Sequence, residues 1–227
     1  MSIADRILFE DNHLIIINKL AGEIVQGDKT GDLPLVEEVR QYLKERYNKP
    51  GNVFCGLVHR IDRPVSGAVI FAKTSKALAR MNELVKERNI SKTYLALVEK
   101  TPEIAEQKLV DYVRKDERTN KTAVSPTPKD GYVVAELAYR VVKVLNNYTL
   151  LEVDLYTGRH HQIRAQLSAH GMVIKGDLKY GAKRSNRDGS ISLHSYQVTF
   201  DHPVRHETVT VTAPLTGEMA NIVGENL

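Results

Sequence analysis

The sequence predicts an α+β fold with a mixed, largely antiparallel central sheet and flanking helices. Strand-like runs outnumber helix-like runs along the 227 residues. Two pairs of neighbouring runs are joined by short polar turns, Asp11-Asn12 and Asn146-Asn147, which is typical of β-hairpins. No repeat, low-complexity tract or linker interrupts the chain, so we expect a single domain over 1–227.

The first half of the chain begins with strands and then alternates helix and strand. Apolar residues at helical spacing predict helices at 35–47 and 76–88, and Ser75 is the expected N-cap of the second. The segment 22–31 is expected to be a loop. The predicted strands are 7–10, 13–19, one run on each side of Asp62, and 92–99.

The second half predicts more strands and one further helix. Asn146-Asn147 separates two strand-like runs, and Gly171 is the expected C-terminal cap of the helix. The charge-dense segment 114–121 is predicted to be a loop, for which a solvated turn is favoured over an RNA contact, and 181–190 is predicted to be a second polar loop with three basic residues. The predicted strands are 135–145, 148–156, 192–200 and 207–212, and the helix is 160–170.

Composition excludes several classes of protein. No apolar run approaches the roughly 18 residues of a membrane helix, and the N-terminus lacks a signal-peptide pattern. Cys55 is the single cysteine, so no internal disulfide can form, and we expect a reducing cytoplasm. Cys55 itself is expected to be a small buried apolar residue. A net charge of +4 and a pI near 9.0 permit binding to nucleic acid without requiring it.

One polar turn lies between two apolar runs and carries the strongest chemical signal. The segment 56–74, GLVHRIDRPVSGAVIFAKT, contains Asp62 between Arg60 and Arg63, and Pro64 and Ser66-Gly67 mark a turn. A carboxylate flanked by arginines, on a loop held by buried strands, is placed where catalytic groups often occur. Taken alone, the pattern also describes a surface loop whose aspartate pairs with a neighbouring arginine.

Five segments resemble the RluA-type pseudouridine synthases, and they follow one another along the chain in the family's order. HRIDRPVSG, at 59–67, resembles the family signature HRLDxxTSG. The other four are LIIINKLAGEIV at 14–25, SKTYLALVE at 91–99, LYTGRHHQIRAQLSAHGMVIKGDLKYG at 155–181 and LHSYQVTFDHP at 193–203.

The resemblance implies a catalytic core with two sub-lobes around a cleft, without the additional N-terminal RNA-binding domain of longer members. It implies an isomerase that converts specific uridines of ribosomal or transfer RNA to pseudouridine. The expected partner is RNA. No cofactor, metal or membrane is expected, and a monomer is the expected state.

The resemblance also assigns catalytic residues. Asp62 matches the family nucleophile, and a carboxylate can form a covalent intermediate. Arg164 matches the arginine that pairs with this aspartate and keeps it ionised. Tyr94 matches the tyrosine that packs on the target base and can accept the proton from C5.

Four further residues are expected to bind the substrate. Arg60 is nominated to fill the gap left by a flipped uridine. His59 supports the loop or contacts phosphate, and Arg159, at the predicted helix start, has a phosphate or structural role. Ile163, next to Arg164 in HQIR, is included in the substrate-binding set.

Three positions depart from the family pattern, and other functions were weighed. Leu20, Val65 and His160 replace Pro, Thr, and Thr or Ser, and they put loop details in doubt. A metal enzyme is disfavoured because adjacent His160 and His161 should point apart on a helix. The HRID sequence resembles the kinase HRD loop, but no glycine-rich loop or DFG accompanies it. A catalytically inactive RNA-binding protein on the same core is the alternative.

Overall fold

In the computed structural model, residues 1–27 and 31–224 are described. The chain divides into two compact units, each formed from two segments: 1–91 with 195–216, and 92–194 with 217–227. In chain order the main elements are β1 (Ile7–Glu10), β2 (Leu14–Lys19), α1 (Leu35–Arg46), β3 (Gly56–Leu57), β4 (Ser66–Ala72), α2 (Ser75–Lys86), β5 (Ile90–Val98), β6 (Glu106–Asp116), β7 (Lys121–Ser125), β8 (Val133–Val144), β9 (Thr149–Leu155), α3 (Gln162–Ala169), β10 (Leu193–Asp201), β11 (Thr208–Thr212) and α4 (Gly217–Val223).

Unit 1 is built on two strands that are buried on both faces. All six residues of β2 and all seven of β4 are buried, and the two strands pair antiparallel with Ile15 opposite Phe71. Runs of β-branched and aromatic residues favour such a doubly covered strand. The strand order is β1-β2-β4-β10, with β3 also pairing with β4 and β11 with β10. Met81 of α2 and Phe200 of β10 join one core cluster with this sheet.

Unit 2 is an antiparallel meander with one face covered by a helix. Its strand order is β5-β9-β8-β6-β7, and every pairing between these neighbours is antiparallel. On β6, buried Leu109, Asp111 and Val113 alternate with more exposed residues, as expected for a strand with one solvated face. α3 packs against the β6–β7 side of this sheet.

The α+β prediction is confirmed, and most of the predicted helices and strands are present. Positions 28–30 of the predicted loop at 22–31 lie outside the described residues. Strands β6 and β7 and helix α4 were not predicted from the sequence. The segment predicted as a charged loop at 114–121 is the end of β6, a turn and the first residue of β7. Because polar residues alternate on its solvated face, this hairpin has little apolar signal in the sequence.

Two local predictions were wrong. The N-cap of α2 is Thr74, whose hydroxyl accepts a hydrogen bond from Ala77 N, so the helix begins one residue earlier, at Ser75. Ser66-Gly67 does not form the turn after Asp62, because both residues already belong to β4.

Candidate active site

Asp62 lies on the segment that connects β3 to β4. Val65 N donates to the Asp62 carbonyl (3.0 Å) and closes a turn whose central residues are Arg63 and Pro64. Ile61 and Val65, on either side, are buried, whereas Asp62 is half-buried. The apolar neighbours therefore anchor the loop in the core of unit 1 while the aspartate remains partly accessible.

The end of β2 holds this loop through Lys19. The Lys19 side chain is fully buried, and its Nζ donates to the carbonyl oxygens of Leu20 (2.8 Å) and Arg63 (3.1 Å). Gly22 N donates to the same Arg63 carbonyl (2.8 Å). Because Arg63 follows Asp62 directly, these bonds fix the backbone beside the candidate nucleophile.

Burial gives Lys19 an unusual acidity. Loss of hydration lowers the pKa of the Lys19 ammonium from 10.5 to about 7, and the nearby negative charges of Glu23 and Asp62 oppose that shift. Lys19 was not among the residues selected from the sequence. The available signal was a lysine at the end of an otherwise apolar strand, in the NKLAG part of one resembling segment.

The other residues of the Asp62 loop have distinct environments. His59 Nε2 accepts a hydrogen bond from Ile70 N (3.3 Å), so the imidazole ties the loop to β4. This contact agrees with the loop-supporting role that the sequence analysis allowed for His59. Arg60 is exposed, and its role in filling a base gap stays a prediction. Arg63 pairs with Asp32 at the surface (2.8 Å).

Gly67 permits a close approach of two strands directly after the loop. Its φ is +114°, and a Cβ atom placed there would lie 2.3 Å from the Ser195 carbonyl oxygen. Ser195 Oγ also donates to the Ala68 carbonyl (3.1 Å). A side chain at position 67 would therefore displace the start of β4, which carries the Asp62 loop.

In unit 2, Tyr94 lies near the start of β5, opposite Val153 of β9, and is buried. The strand position agrees with the sequence prediction. The proposed stacking of its ring on a uracil stays a prediction.

Arg164 of α3 is held in one orientation by a buried ion pair. Its Nε and Nη2 donate to the two carboxylate oxygens of Asp177, at 2.7 and 2.9 Å. Both side chains are at most 5% exposed. The Arg164 guanidinium also lies over the Tyr180 ring, 5.1 Å from its centroid. A two-point contact of this kind fixes the plane of the guanidinium.

Tyr180 connects this ion pair to β7 and to the start of α3. Its hydroxyl accepts a hydrogen bond from Thr122 N (2.7 Å) and lies 2.9 Å from His161 Nδ1. Burial raises the pKa of Tyr180, so the phenol stays protonated. Thr122 Oγ1 donates to the His160 carbonyl (2.7 Å).

The expectation that His160 and His161 point apart on a helix was wrong. Both residues precede α3, and their rings stack with centroids 3.7 Å apart and planes 26° apart. His161 has the left-handed φ of 48°, which interrupts the helical path and lets the two rings face each other.

Gln162, which the sequence analysis overlooked, organises the start of α3. Its Oε1 accepts hydrogen bonds from Arg159 N (3.0 Å) and Thr157 Oγ1 (2.8 Å). Its Nε2 donates to the Glu136 carbonyl (3.0 Å) and Gln166 Oε1 (2.9 Å). The available signal in the sequence was an amide side chain at the start of a predicted helix, and its burial, which makes several partners necessary, is known only from the structure.

Arg159 and Ile163 lie on either side of Gln162. The Arg159 side chain is exposed, and its Nε donates to the Val134 carbonyl (3.2 Å), which is a structural contact. Ile163 is buried in α3. Binding of substrate by either residue stays a prediction.

Cys55 is buried, and burial raises the pKa of its thiol to about 12. A protonated thiol agrees with the apolar role expected for it. Within residues 1–27 and 31–224, no three His, Cys, Asp or Glu side chains are grouped so that they could hold a metal ion. The same residues contain no helix that is long and apolar enough to cross a membrane.

Known proteins resemble this chain in sequence. Residues 13–169 match the family model described as RNA pseudouridylate synthase. The chain is 33% identical to ribosomal large subunit pseudouridine synthase C of Buchnera aphidicola, over 97% of this chain and 70% of that protein. It is 31% identical to the protein of the same name from Pasteurella multocida (96% and 67% covered) and to the uncharacterized RNA pseudouridine synthase YhcT of Bacillus subtilis (95% and 70%).

Solved structures show the same fold. Human RNA pseudouridylate synthase domain containing 4 superposes with a TM-score of 0.80 at 22% identity, covering 97% of this chain and 92% of that chain. Human RNA pseudouridylate synthase domain containing 1 gives a TM-score of 0.72 at 22% identity, with coverage of 92% and 83%. At this level of identity the likeness describes the architecture alone.

Proposed function

Because the chain belongs to the RNA pseudouridylate synthase family, whose members are isomerases that act on RNA, we propose that Asp62 is its catalytic nucleophile. The observation that carries this proposal is the placement of Asp62. It is a half-buried carboxylate on a loop that Lys19 and Gly22 hold through the neighbouring Arg63 carbonyl. A nucleophile needs such a fixed position together with access to its substrate.

The reaction requires a nucleophile and no external reagent. The bond between ribose C1′ and uracil N1 breaks, the base turns, and a new bond joins C1′ to C5. C5 then loses its proton and N1 gains one, so the product is an isomer of the substrate. A carboxylate that bonds covalently to the nucleotide keeps the intermediate bound during the turn.

Tyr94 and Arg164 are proposed to act on the same nucleotide. We assign Tyr94 to stacking on the uracil and to removal of the C5 proton, since a tyrosine ring and hydroxyl suit both tasks. We assign Arg164 to supplying positive charge for the nucleophilic carboxylate. Its bidentate bond with Asp177 supports this role, because it holds the guanidinium in a single orientation.

Arg60 and the target RNA complete the proposal. Arg60 is exposed on the Asp62 loop and is assigned to the space that a flipped uridine leaves. Relatives from Buchnera aphidicola and Pasteurella multocida are named for the large ribosomal subunit, so we propose a uridine of large-subunit ribosomal RNA as the substrate. Transfer RNA is the alternative target. A monomer in the cytoplasm that requires no metal remains our expectation.

Pseudouridine mapping tests the proposal directly. The gene is deleted, and the cells are supplied with the wild-type protein, Asp62→Asn or Asp32→Asn. Total RNA from each strain is then labelled with carbodiimide. Asp32 is a matched surface carboxylate of the same unit, half exposed and paired with Arg63. We expect one or a few ribosomal sites to require the wild-type or Asp32→Asn protein and to be absent with Asp62→Asn.

Three results would contradict parts of the proposal. Restoration of the site by Asp62→Asn would exclude Asp62 as the nucleophile. If the only responding sites lie in transfer RNA, the substrate is transfer RNA and the proposal of large-subunit ribosomal RNA is wrong. If no site responds in cells and purified protein also fails to modify unmodified transcripts that it binds, the chain is an inactive RNA-binding protein.

A further inference from the structure

The solvent-facing side of the unit 2 sheet carries a group of tyrosines and cations that the catalytic proposal does not use. On β6, the residues that alternate with buried Leu109 and Val113 point outward, and one of them, Val110, is 49% exposed. Tyr156, which follows β9, is 46% exposed. This face is therefore accessible to a partner.

Each of two tyrosine rings lies beside cations. Two cations lie near the Tyr132 ring: the Arg114 guanidinium is 5.0 Å and Lys129 Nζ is 5.5 Å from its centroid. The Tyr156 ring has Lys108 Nζ 5.4 Å from its centroid. We call the surface formed by Lys108, Arg114, Lys129, Tyr132 and Tyr156 the tyrosine–cation face.

Ion pairs and exposed cations both occur along this side of the sheet. At the tyrosine–cation face, Glu136 is bound to Lys108 (2.8 Å), while Arg114 and Lys129 add two exposed positive charges. At the other end of β8, Arg140 is bound to Glu152 of β9 (2.7 Å). Two exposed cations thus lie at the end of the sheet that also carries the aromatic rings.

The spacing of the two rings suits an extended single strand of nucleic acid. Tyr156 N donates to the Glu136 carbonyl, which places Tyr156 beside Glu136. Tyr132 precedes Glu136 by four residues, which corresponds to about 13 Å along an extended chain. A ring that stacks a base beside a cation that binds phosphate is the usual combination in single-strand recognition.

We propose that the tyrosine–cation face binds single-stranded RNA that flanks the target uridine. The proposal rests on the proposed function, because the partner is taken to be the RNA substrate. Tyr132 and Tyr156 stack on bases, and Arg114, Lys129 and Lys108 contact the backbone. Stacking accepts every base, so this face adds affinity without choosing the sequence.

The test measures RNA binding by the full-length chain. The probes are a fluorescein-labelled 12-nucleotide oligouridylate and a 12-base-pair RNA duplex. The variants are Arg114→Gln/Lys129→Gln, which removes two charges, and Tyr132→Leu, which removes one ring. The matched control is Arg140→Gln/Lys143→Gln, which also removes two charges but lies on strand β8, outside the tyrosine–cation face.

The two variants should weaken RNA binding in ways that differ in their salt dependence. Loss of two phosphate contacts should weaken oligouridylate binding about 10-fold in 0.1 M salt and reduce the slope of log K against log salt by about 1.4. Tyr132→Leu should weaken binding about 10-fold with the slope unchanged. The duplex should be affected much less by Tyr132→Leu, and the control should match the wild type.

Several outcomes would overturn the proposal. These are wild-type affinity in both variants, equal loss in the control, or equal loss for duplex and single strand in Tyr132→Leu. Single-turnover pseudouridine formation at saturating RNA separates this proposal from the catalytic one. The face variants should keep the wild-type rate, whereas only Asp62→Asn reports on the nucleophile.

Discussion

Each unit buries one cation of the candidate site, Lys19 beside Asp62 in unit 1 and Arg164 itself in unit 2, but the two cations are held in different ways. Lys19 of unit 1 donates to two backbone carbonyls, of Leu20 and Arg63, and burial lowers its pKa to about 7. Arg164 of unit 2 forms a bidentate ion pair with Asp177. One cation is held by neutral dipoles and the other by a full opposite charge.

The difference has consequences for what each cation can do. An arginine stays protonated under physiological conditions, so the Arg164 charge is permanent and its orientation depends on a side chain. The Lys19 charge is titratable near neutral pH, and its bonds act on the backbone of the Asp62 loop. We therefore expect unit 1 to be sensitive to backbone geometry and pH, and unit 2 to be sensitive to loss of an ionic partner.

The largest effect is expected from Asp177→Asn. The substitution keeps the shape of the side chain but removes the negative charge from the buried bidentate pair with Arg164, which should cost about 3–5 kcal/mol of unfolding free energy. Urea denaturation measures this loss. Asp32→Asn, which removes the exposed partner of Arg63, should cost less than about 1 kcal/mol. Equal losses of unfolding free energy in the two variants would contradict the prediction that the buried Arg164–Asp177 pair matters more to stability than the exposed Arg63–Asp32 pair.

Gly67→Ala tests the dependence of unit 1 on backbone geometry. The added Cβ would lie 2.3 Å from the Ser195 carbonyl oxygen at a φ of +114°, so we expect a loss of at least about 2 kcal/mol. Pseudouridine formation should fall as well, because β4 begins directly after the Asp62 loop. Gly27→Ala is the control, because among residues 1–27 and 31–224, leaving out the glycine and its chain neighbours, nothing lies within 4 Å of the new Cβ. Similar denaturation midpoints for both variants would refute the argument.

Lys19→Met tests the titratable cation. The pKa of Lys19 is near 10.5 in the unfolded chain and about 7 in the folded protein. Between these values the unfolded state binds more protons, so this group makes the wild type more stable as pH rises through the window. Relative to Lys19→Met, the wild type should gain about 1 kcal/mol per pH unit between pH 7.5 and 9.5. A difference in unfolding free energy that does not change with pH would argue against the lowered pKa.

Tyr180→Phe should have the smallest effect. The substitution keeps the ring under the Arg164 guanidinium and removes only the hydroxyl, which accepts from Thr122 N and lies 2.9 Å from His161 Nδ1. The buried amide loses its partner, which should cost about 1 kcal/mol. Tyr180→Leu, which also removes the ring, should cost more in the same thermal or urea unfolding experiment. An equal loss in both variants would show that the ring contact contributes nothing measurable.

The elements that the sequence predicted well are those with a strong apolar pattern. β2 and β4 are continuous runs of buried residues, and α1 has apolar residues at helical spacing. β6 and β7 were missed because a solvated strand rich in charged residues resembles a loop. The start of α3 was misplaced because His161 adopts a left-handed conformation that residue type alone does not reveal.

The sequence by itself determined the class of fold, the family and the candidates Asp62, Tyr94 and Arg164, because these follow from local patterns and from ordered motifs. Only the tertiary structure decided which partner holds Arg164, how deeply Lys19 is buried and that His160 stacks on His161. These contacts depend on how side chains pack and, for the two histidines, on a backbone conformation that residue type does not reveal. The acidity of Lys19 is the plainest case, since a lysine has a pKa near 7 only where the fold removes its water.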